Sequence, residues 1–315
     1  MSNIKPGRKG SRRWLVRYPR AVPLLIFLLT SAIIGISVYT IELSETRRQR
    51  AQLHQIAMAI TTALERRADA NSAYLRAGAA LLASQDGVDA ESFRRFVAEL
   101  RLDSDYRGAD GIGWARVVPR ADIPAFEQAM TREIPGGLAV HPALPPGRPF
   151  AVPVTFLHPG SERNRRALGF DMYSEPVRRA AMIAAEKGQR PVATGKVVLA
   201  QEGRSDAFGF LIYMPVFGPG SGSRHVWGYI YSPFNTQVFL DTALRMESPG
   251  DFGVRLYDGS VTPANLLAQV KMASPGNATV YRKMSIAGRP WVLQVRASDR
   301  QTLSTLSLLT LIFGL

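Results

Sequence analysis

Residues 21–41, AVPLLIFLLTSAIIGISVYTI, pass 21 positions without a single charge. A helix rising about 1.5 Å per residue crosses a hydrocarbon core of roughly 30 Å in that length. The segment therefore has to be a membrane span or a targeting sequence. A cleaved signal peptide has an apolar region of about 7–15 residues and a small-x-small cleavage site, and SVYTIELSE offers no such site. Pro23 falls in the first turn, where its missing N–H is tolerated. Seven basic residues (Lys5, Arg8, Lys9, Arg12, Arg13, Arg17 and Arg20) precede the span, with no acid among residues 1–20. The N-terminus is thus expected in the cytoplasm, and everything after residue 41 outside it.

The chain of 315 residues closes on TLSTLSLLTLIFGL, with 13 uncharged positions from Leu303 to Leu315. This is expected to be the start of a second transmembrane helix, with the sequence continuing into a cytoplasmic portion. The alternative is an in-plane amphipathic end. Between these segments the body is 46% hydrophobic over the whole chain, enough for substantial cores. It has no cysteine, which excludes disulfides and thiolate metal sites. The formal charge of +14 suggests a nucleic-acid partner, but outside the basic tail 32 basic residues face 25 acidic ones, and no such partner is expected.

Residues 42–85 lack proline, and Leu53, Ile56, Ile60, Leu64, Tyr74, Leu75 and Leu82 recur at helical spacing. This predicts a stalk helix whose apolar stripe meets either a second copy of the chain or the domain it carries. Asp89 or Ser92 can cap the next helix. The period then changes to that of strands at 111–118, 151–157, 192–200 and 208–217, with helices over 121–133 and 175–187. Ser174 before Pro176 predicts the cap of the second of these helices. The loop GPGSGSR (218–224) marks an expected boundary, followed by a smaller α+β block of strands and one helix.

Motifs for catalysis are missing: there is no GxxxxGK[ST], no HExxH and no GxSxG. His54, His141, His158 and His225 are scattered without metal-like spacing. Neither a metal nor a cofactor is expected, and the chain is not expected to be an enzyme.

The most informative pattern is ordered. GADGIGWARVVPRADIPAFEQAM, PVTFLHP, LGFDMYSEPVRRAAMIAAEKGQRPVATGKVVLAQE and GFLIYMPVFG follow one another between the two apolar segments. Over roughly residues 70–245 this resembles the CHASE family, the extracytoplasmic sensory domain of bacterial receptors and of plant cytokinin-receptor kinases. One departure is His158-Pro159, where family members commonly carry an acid. The resemblance implies an α+β chain with a transmembrane anchor, a long stalk helix, two tandem PAS-like domains and the start of a second transmembrane helix. Its expected divisions are a basic tail (1–20), a first span (21–41), a stalk (42–88), a membrane-distal part (89–222), a membrane-proximal part (223–300) and the beginning of the second span (301–315). It also implies a bacterial inner-membrane receptor with a periplasmic sensory domain, homodimeric through the stalk. The output would be a histidine kinase or a cyclic-dinucleotide enzyme outside this sequence.

In cytokinin-receptor relatives an aspartate at the position of Asp171 hydrogen-bonds an adenine ring, and backbone groups at the position of Ala193 assist. The resemblance thus nominates Asp171 and Ala193 for a small ligand in the distal domain, with an adenine-like molecule among the options. Phe156, Phe170, Leu199, Phe210 and Tyr213 are candidates for its wall, with strand alternation deciding which of them face inward. Read physically, a carboxylate in apolar surroundings needs donors. They can come from a ligand, or from the N–H groups of the turn around Asp171 itself. A membrane-anchored interaction or dimerisation module without a small ligand is the other functional reading. A periplasmic hydrolase is the third, and it lacks a recognisable nucleophile and base.

Overall fold

The computed structural model describes residues 21–85, 87–100, 109–201, 208–218, 225–244, 252–270, 275–298, 309–310 and 312. The basic tail expected over 1–20 lies outside these residues. So does most of the second span expected over 301–315, of which only 309–310 and 312 are described, as helix. The chain divides into one unit of residues 1–52 with 299–315, and another of residues 53–298.

One uninterrupted helix, α1 (Ala21–Ala83), contains both the apolar segment and the stalk. In the first unit it exposes Leu24, Leu25, Ile26, Phe27, Leu28 and Leu29. The helix is long and apolar enough there to cross a membrane.

In the second unit, α1 buries Leu53, Ala57, Ile60, Leu64, Ala68, Leu75, Ala79 and Leu82, a stripe stepping by three and four residues. These side chains join one core with residues of both main sheets. The apolar stripe read from the sequence is thus covered by the domain its own chain carries. Each buried Leu or Ile in it contributes about 1.5–3 kcal/mol, far more than helix propensity supplies. Two polar bonds fix the register. Asn71 Nδ2 donates to Ser232 Oγ at 3.0 Å, and the Ser285 N–H donates to Glu65 Oε1 at 3.0 Å. Helix α2 (Ala90–Glu99) follows, capped by Asp89, whose carboxylate accepts from the Ser92 N–H.

The first sheet is antiparallel. Its strands are β1 (Ile112–Arg116), β4 (Val154–His158), β5 (Val192–Ala193), β6 (Val197–Val198), β7 (Phe208–Phe217) and β8 (Val226–Asn235). The order is β4-β1-β8-β7-β5, with β6 also on β7. A small ribbon of β2 (Val118–Pro119) and β3 (Phe150–Ala151) stands beside it, and α3 (Ile123–Glu133) and α4 (Glu162–Arg165) lie in the connections. Helix α5 (Pro176–Gly188) packs on β7.

Alternation along the strands divides the sheet's side chains between two cores. Trp114, Phe210, Ile212 and Ile230 face the core shared with α1. Ala115, Leu211, Tyr213, Tyr229 and Tyr231 face the core shared with Ala181, Met182 and Ala185 of α5.

After α6 (Thr236–Leu244) comes a four-stranded antiparallel sheet, ordered β10 (Leu266–Val270), β9 (Phe252–Asp258), β12 (Arg289–Ser298) and β11 (Pro275–Ile286). The α+β class is as expected, but one boundary is corrected. Val226–Asn235, expected to open the second block, pairs with both β1 and β7 inside the first sheet. Residues 219–224 lie outside the described residues, and the strands on either side of them, β7 and β8, pair with each other. A Gly/Pro/Ser-rich stretch serves a hairpin loop as well as a linker, so composition alone misplaced the division.

Candidate functional site

Asp171 owes its position to Gly169. That glycine has a φ of +82°, and a Cβ on it would stand 2.1 Å from the Ala139 carbonyl oxygen, so no other residue fits. The segment it starts is bonded on both sides. The Gly169 N–H donates to the Val154 carbonyl at 2.9 Å, and the His141 N–H donates to the Gly169 carbonyl at 2.9 Å. The Asp171 side chain is 0% exposed. Its Oδ1 accepts from the N–H groups of Val152 (2.8 Å) and Tyr173 (3.1 Å), and its Oδ2 accepts from Arg148 Nη2. It thereby caps the 3₁₀ turn Met172–Ser174 and pairs with a guanidinium.

The cap of α5 is not Ser174 but Glu175. Its carboxylate accepts from the N–H groups of Val177 (3.0 Å) and Arg178 (2.8 Å), while the Ser174 hydroxyl donates to the Asp171 carbonyl at 2.6 Å.

Between α5 and the first sheet lies a polar and aromatic interior. Tyr213 contacts Tyr231 and Tyr229 with ring centroids 5.9 Å and 6.2 Å apart, and its hydroxyl approaches Met172 Sδ at 2.9 Å. Burial raises the pKa of Tyr213 and Tyr231 well above the usual phenol value, so both keep their protons.

Arg178 reaches into this interior and is 3% exposed. Its Nη2 donates to the Val198 carbonyl at 2.8 Å, and its guanidinium lies 4.8 Å from the centre of the Phe170 ring. Among the described residues, its Nε, the Tyr231 hydroxyl and Gln201 Nε2 are buried and have no hydrogen-bond partner. Of the adjacent Arg178 and Arg179, only Arg178 is buried. The signal was available: Arg178, Ala181, Met182 and Ala185 fall at i, i+3, i+4 and i+7, and all four are buried.

The nominated residues fall on two faces. Phe170, Leu199 and Tyr213 belong to the α5 side, and Asp171 sits in the turn just before that helix. Phe156, Ala193 and Phe210 belong to the core shared with α1. Phe210 is stacked on Phe234 at 4.7 Å, and the Ala193 N–H donates to the Ala287 carbonyl at 3.2 Å.

Phe156 also lines a separate cavity of about 490 Å³ with Phe93, Arg94, Glu133, His158 and Arg165. The His158 imidazole is held below its ordinary pKa, mainly by burial and further by the positive Arg94. Among the described residues no cluster of three or more His, Asp or Glu could hold a metal.

The turn after Ala193 joins the two sheets. Arg289 and Asp258 of the second sheet form a two-bond ion pair, at 2.6 and 2.8 Å. A Cβ on Gly195 would lie 2.7 Å from Arg289 Nη2, so the turn packs directly on that pair.

The first sheet is thus covered on one face by α1 and on the other by α5, and it shares the α1 core with the second sheet. The sequence pattern of the CHASE domain matches residues 86–268, more than half of the chain. The chain belongs to the CHASE family and is a membrane-anchored extracytoplasmic sensor of small molecules; the CHASE domain itself is sensory and non-catalytic.

Among solved structures, the ligand-binding domain of the Pseudomonas aeruginosa PAO1 chemoreceptor PctB in complex with L-Arg is similar with a TM-score of 0.49 and 10% identity, over 82% of this chain and 99% of that one. An extracellular ligand binding receptor from Desulfohalobium retbaense has a TM-score of 0.46 and 12% identity, over 81% of this chain but only 40% of its own. The Vibrio cholerae LuxQ periplasmic domain has a TM-score of 0.38 and 8% identity, over 79% of this chain and 99% of that one. At TM-scores below 0.5 these likenesses assign neither a ligand nor a site. No curated protein matches the chain significantly.

Proposed function

We propose that this chain is the input region of a bacterial transmembrane receptor, in which a small molecule held between α5 and the first sheet changes how the two sheets pack. The observation that carries the reading is the turn at 193–196. It continues directly from β5 of the first sheet, and it is bonded to the second sheet through Ala193 and packed on the Arg289–Asp258 pair. A ligand that favours one arrangement of this turn shifts the second sheet with it, whereas tight binding without such preference moves nothing.

In this reading the second sheet is the membrane-proximal one, the N-terminus is cytoplasmic, and the output module follows a second span. Phe170, Leu199 and Tyr213 wall the ligand; Asp171 shapes the site through Arg148 and the 3₁₀ turn. Phe156, Ala193 and Phe210 support the sheet from its other face.

The homodimer expected through the stalk has to use the side of α1 that its own domain leaves free, where Gln55, Met58, Thr62 and Arg66 are exposed. Hydrogen exchange of the chain in lipid nanodiscs tests the coupling. A stabilising ligand is expected to slow exchange both in α5 and in 285–289; a change confined to one of them removes the reading.

A further inference from the structure

We propose that the interior between α5 and the first sheet receives a small organic carboxylate, its anionic group seated on Arg178 and its apolar body against Tyr213 and Tyr231. This rests on the sensor reading above and gives the ligand its chemical class.

The balance of donors and acceptors carries the proposal. Arg178 Nε and Gln201 Nε2 are buried donors without a partner, and the Tyr231 hydroxyl is a third polar atom in the same condition. Gln201 stands three residues beyond Val198, the residue whose carbonyl already holds the Arg178 guanidinium. The two carboxylates beside this interior, which a neutral, donor-rich ligand would need, are already engaged. The Asp171 carboxylate takes Arg148 and two backbone N–H groups, and the Glu175 carboxylate takes the first N–H groups of α5. An adenine-like ligand therefore finds few partners here, and an acceptor-rich one finds several.

Charge points the same way. Arg148, Arg163 and Arg289 each face a carboxylate, from Asp171, Asp110 and Asp258 respectively. Arg178 is more deeply buried than any of these three, yet no carboxylate pairs with it among the described residues. One carbonyl and the face of Phe170 offset only part of the cost of removing a cation from water. A ligand carboxylate supplies the missing charge and accepts the free N–H in a charge-assisted bond. The tyrosine rings around Tyr213 give the rest of the ligand an apolar, aromatic-lined wall.

The test is thermal unfolding of the full chain in nanodiscs with sodium benzoate, phenylacetate and indole-3-acetate. Their neutral amides, adenine, and sodium phosphate at equal ionic strength are run beside them. At least one carboxylate is expected to raise Tm by several degrees in a saturable way, while its amide and phosphate do not. Arg178→Met should abolish that shift and leave the unliganded Tm close to that of the parent, because the variant removes an unpaired charge. Arg178→Lys should keep a reduced shift, and Tyr231→Phe should weaken it without lowering the unliganded Tm; these two decide the matter should the methionine variant not fold.

An amide, adenine or phosphate shift as large as that of the carboxylate overturns the carboxylate proposal and leaves the sensor reading standing. So does a carboxylate shift that survives in Arg178→Met or, where that variant does not fold, is undiminished in Arg178→Lys. No shift with any compound counts against both.

Discussion

At the scale of single residues, the carboxylate of Asp171 already has partners within its own chain. It is fully buried and holds three donors, one of them the largely buried Arg148. Breaking a buried pair by neutralising one partner costs about 3–5 kcal/mol, whereas loss of a cap alone costs about 1 kcal/mol. Asp171→Asn is therefore expected to lower unfolding stability in urea by about 3 kcal/mol. Unchanged stability with weakened ligand binding would return Asp171 to the ligand.

His158 gives a second residue-scale prediction. Its folded pKa lies below its ordinary value, so the unfolded chain takes up the proton first as pH falls. Stability is then complete above the unfolded pKa of about 6.5 and declines as pH drops towards the folded value. Arg94 lines the same cavity and adds to the effect of burial, and Arg165 and Glu133 line it as well. His158→Asn should flatten the loss of Tm between about pH 7 and pH 5; an unaltered slope would place the proton uptake elsewhere. From sequence, the isolated acid in LGFDMYSEP stood out, but its partner did not, because Arg148 lies 23 residues away across a loop.

At the scale of elements, periodicity was legible wherever a strand or helix has one clear face. The stretch 208–217 is a strand over its full length, and the apolar stripe of the stalk is the buried stripe of α1. Pairing partners were less legible. Strand β8 reads as a strand, but nothing local says that it joins β1 to β7 rather than opening a new sheet. Buried charge in a helix is similarly hidden, since Arg178 and Arg179 are adjacent and only their phase relative to Ala181 and Met182 separates them.

Contact between elements also reverses a propensity argument at Gly78. Replacing a helical glycine by a better helix former gains up to about 1 kcal/mol. A Cβ there, however, would lie 2.4 Å from Ile230 Cδ1 and 2.8 Å from the Phe96 ring. Overpacking of this kind costs about 1–3 kcal/mol. Gly78→Val is expected to be destabilising in a urea titration, and a stabilised variant would show that α1 does not sit against β8 as described.

At the scale of the whole molecule, one core runs from the stalk helix through the first sheet into the second, and the α5 side of the first sheet is closed off from it. In the proposed function, ligand chemistry falls on one side of the sheet and mechanical coupling on the other, with the 193–196 turn between them. The membrane anchor, the α+β class and the family were legible because they rest on composition, period and ordered motifs. The coupling turn was not, since it depends on Gly195 meeting an ion pair about 60–90 residues further along the chain.

The most direct measurement of this account is hydrogen–deuterium exchange of the full chain in nanodiscs, with and without the strongest stabiliser from the carboxylate, amide and adenine panel. The account predicts slower exchange in α5 and along 197–201, together with an altered rate in 285–289 of the second sheet. Protection around Phe93 and Phe156 instead, or an effect in the first sheet that never reaches 285–289, would contradict it.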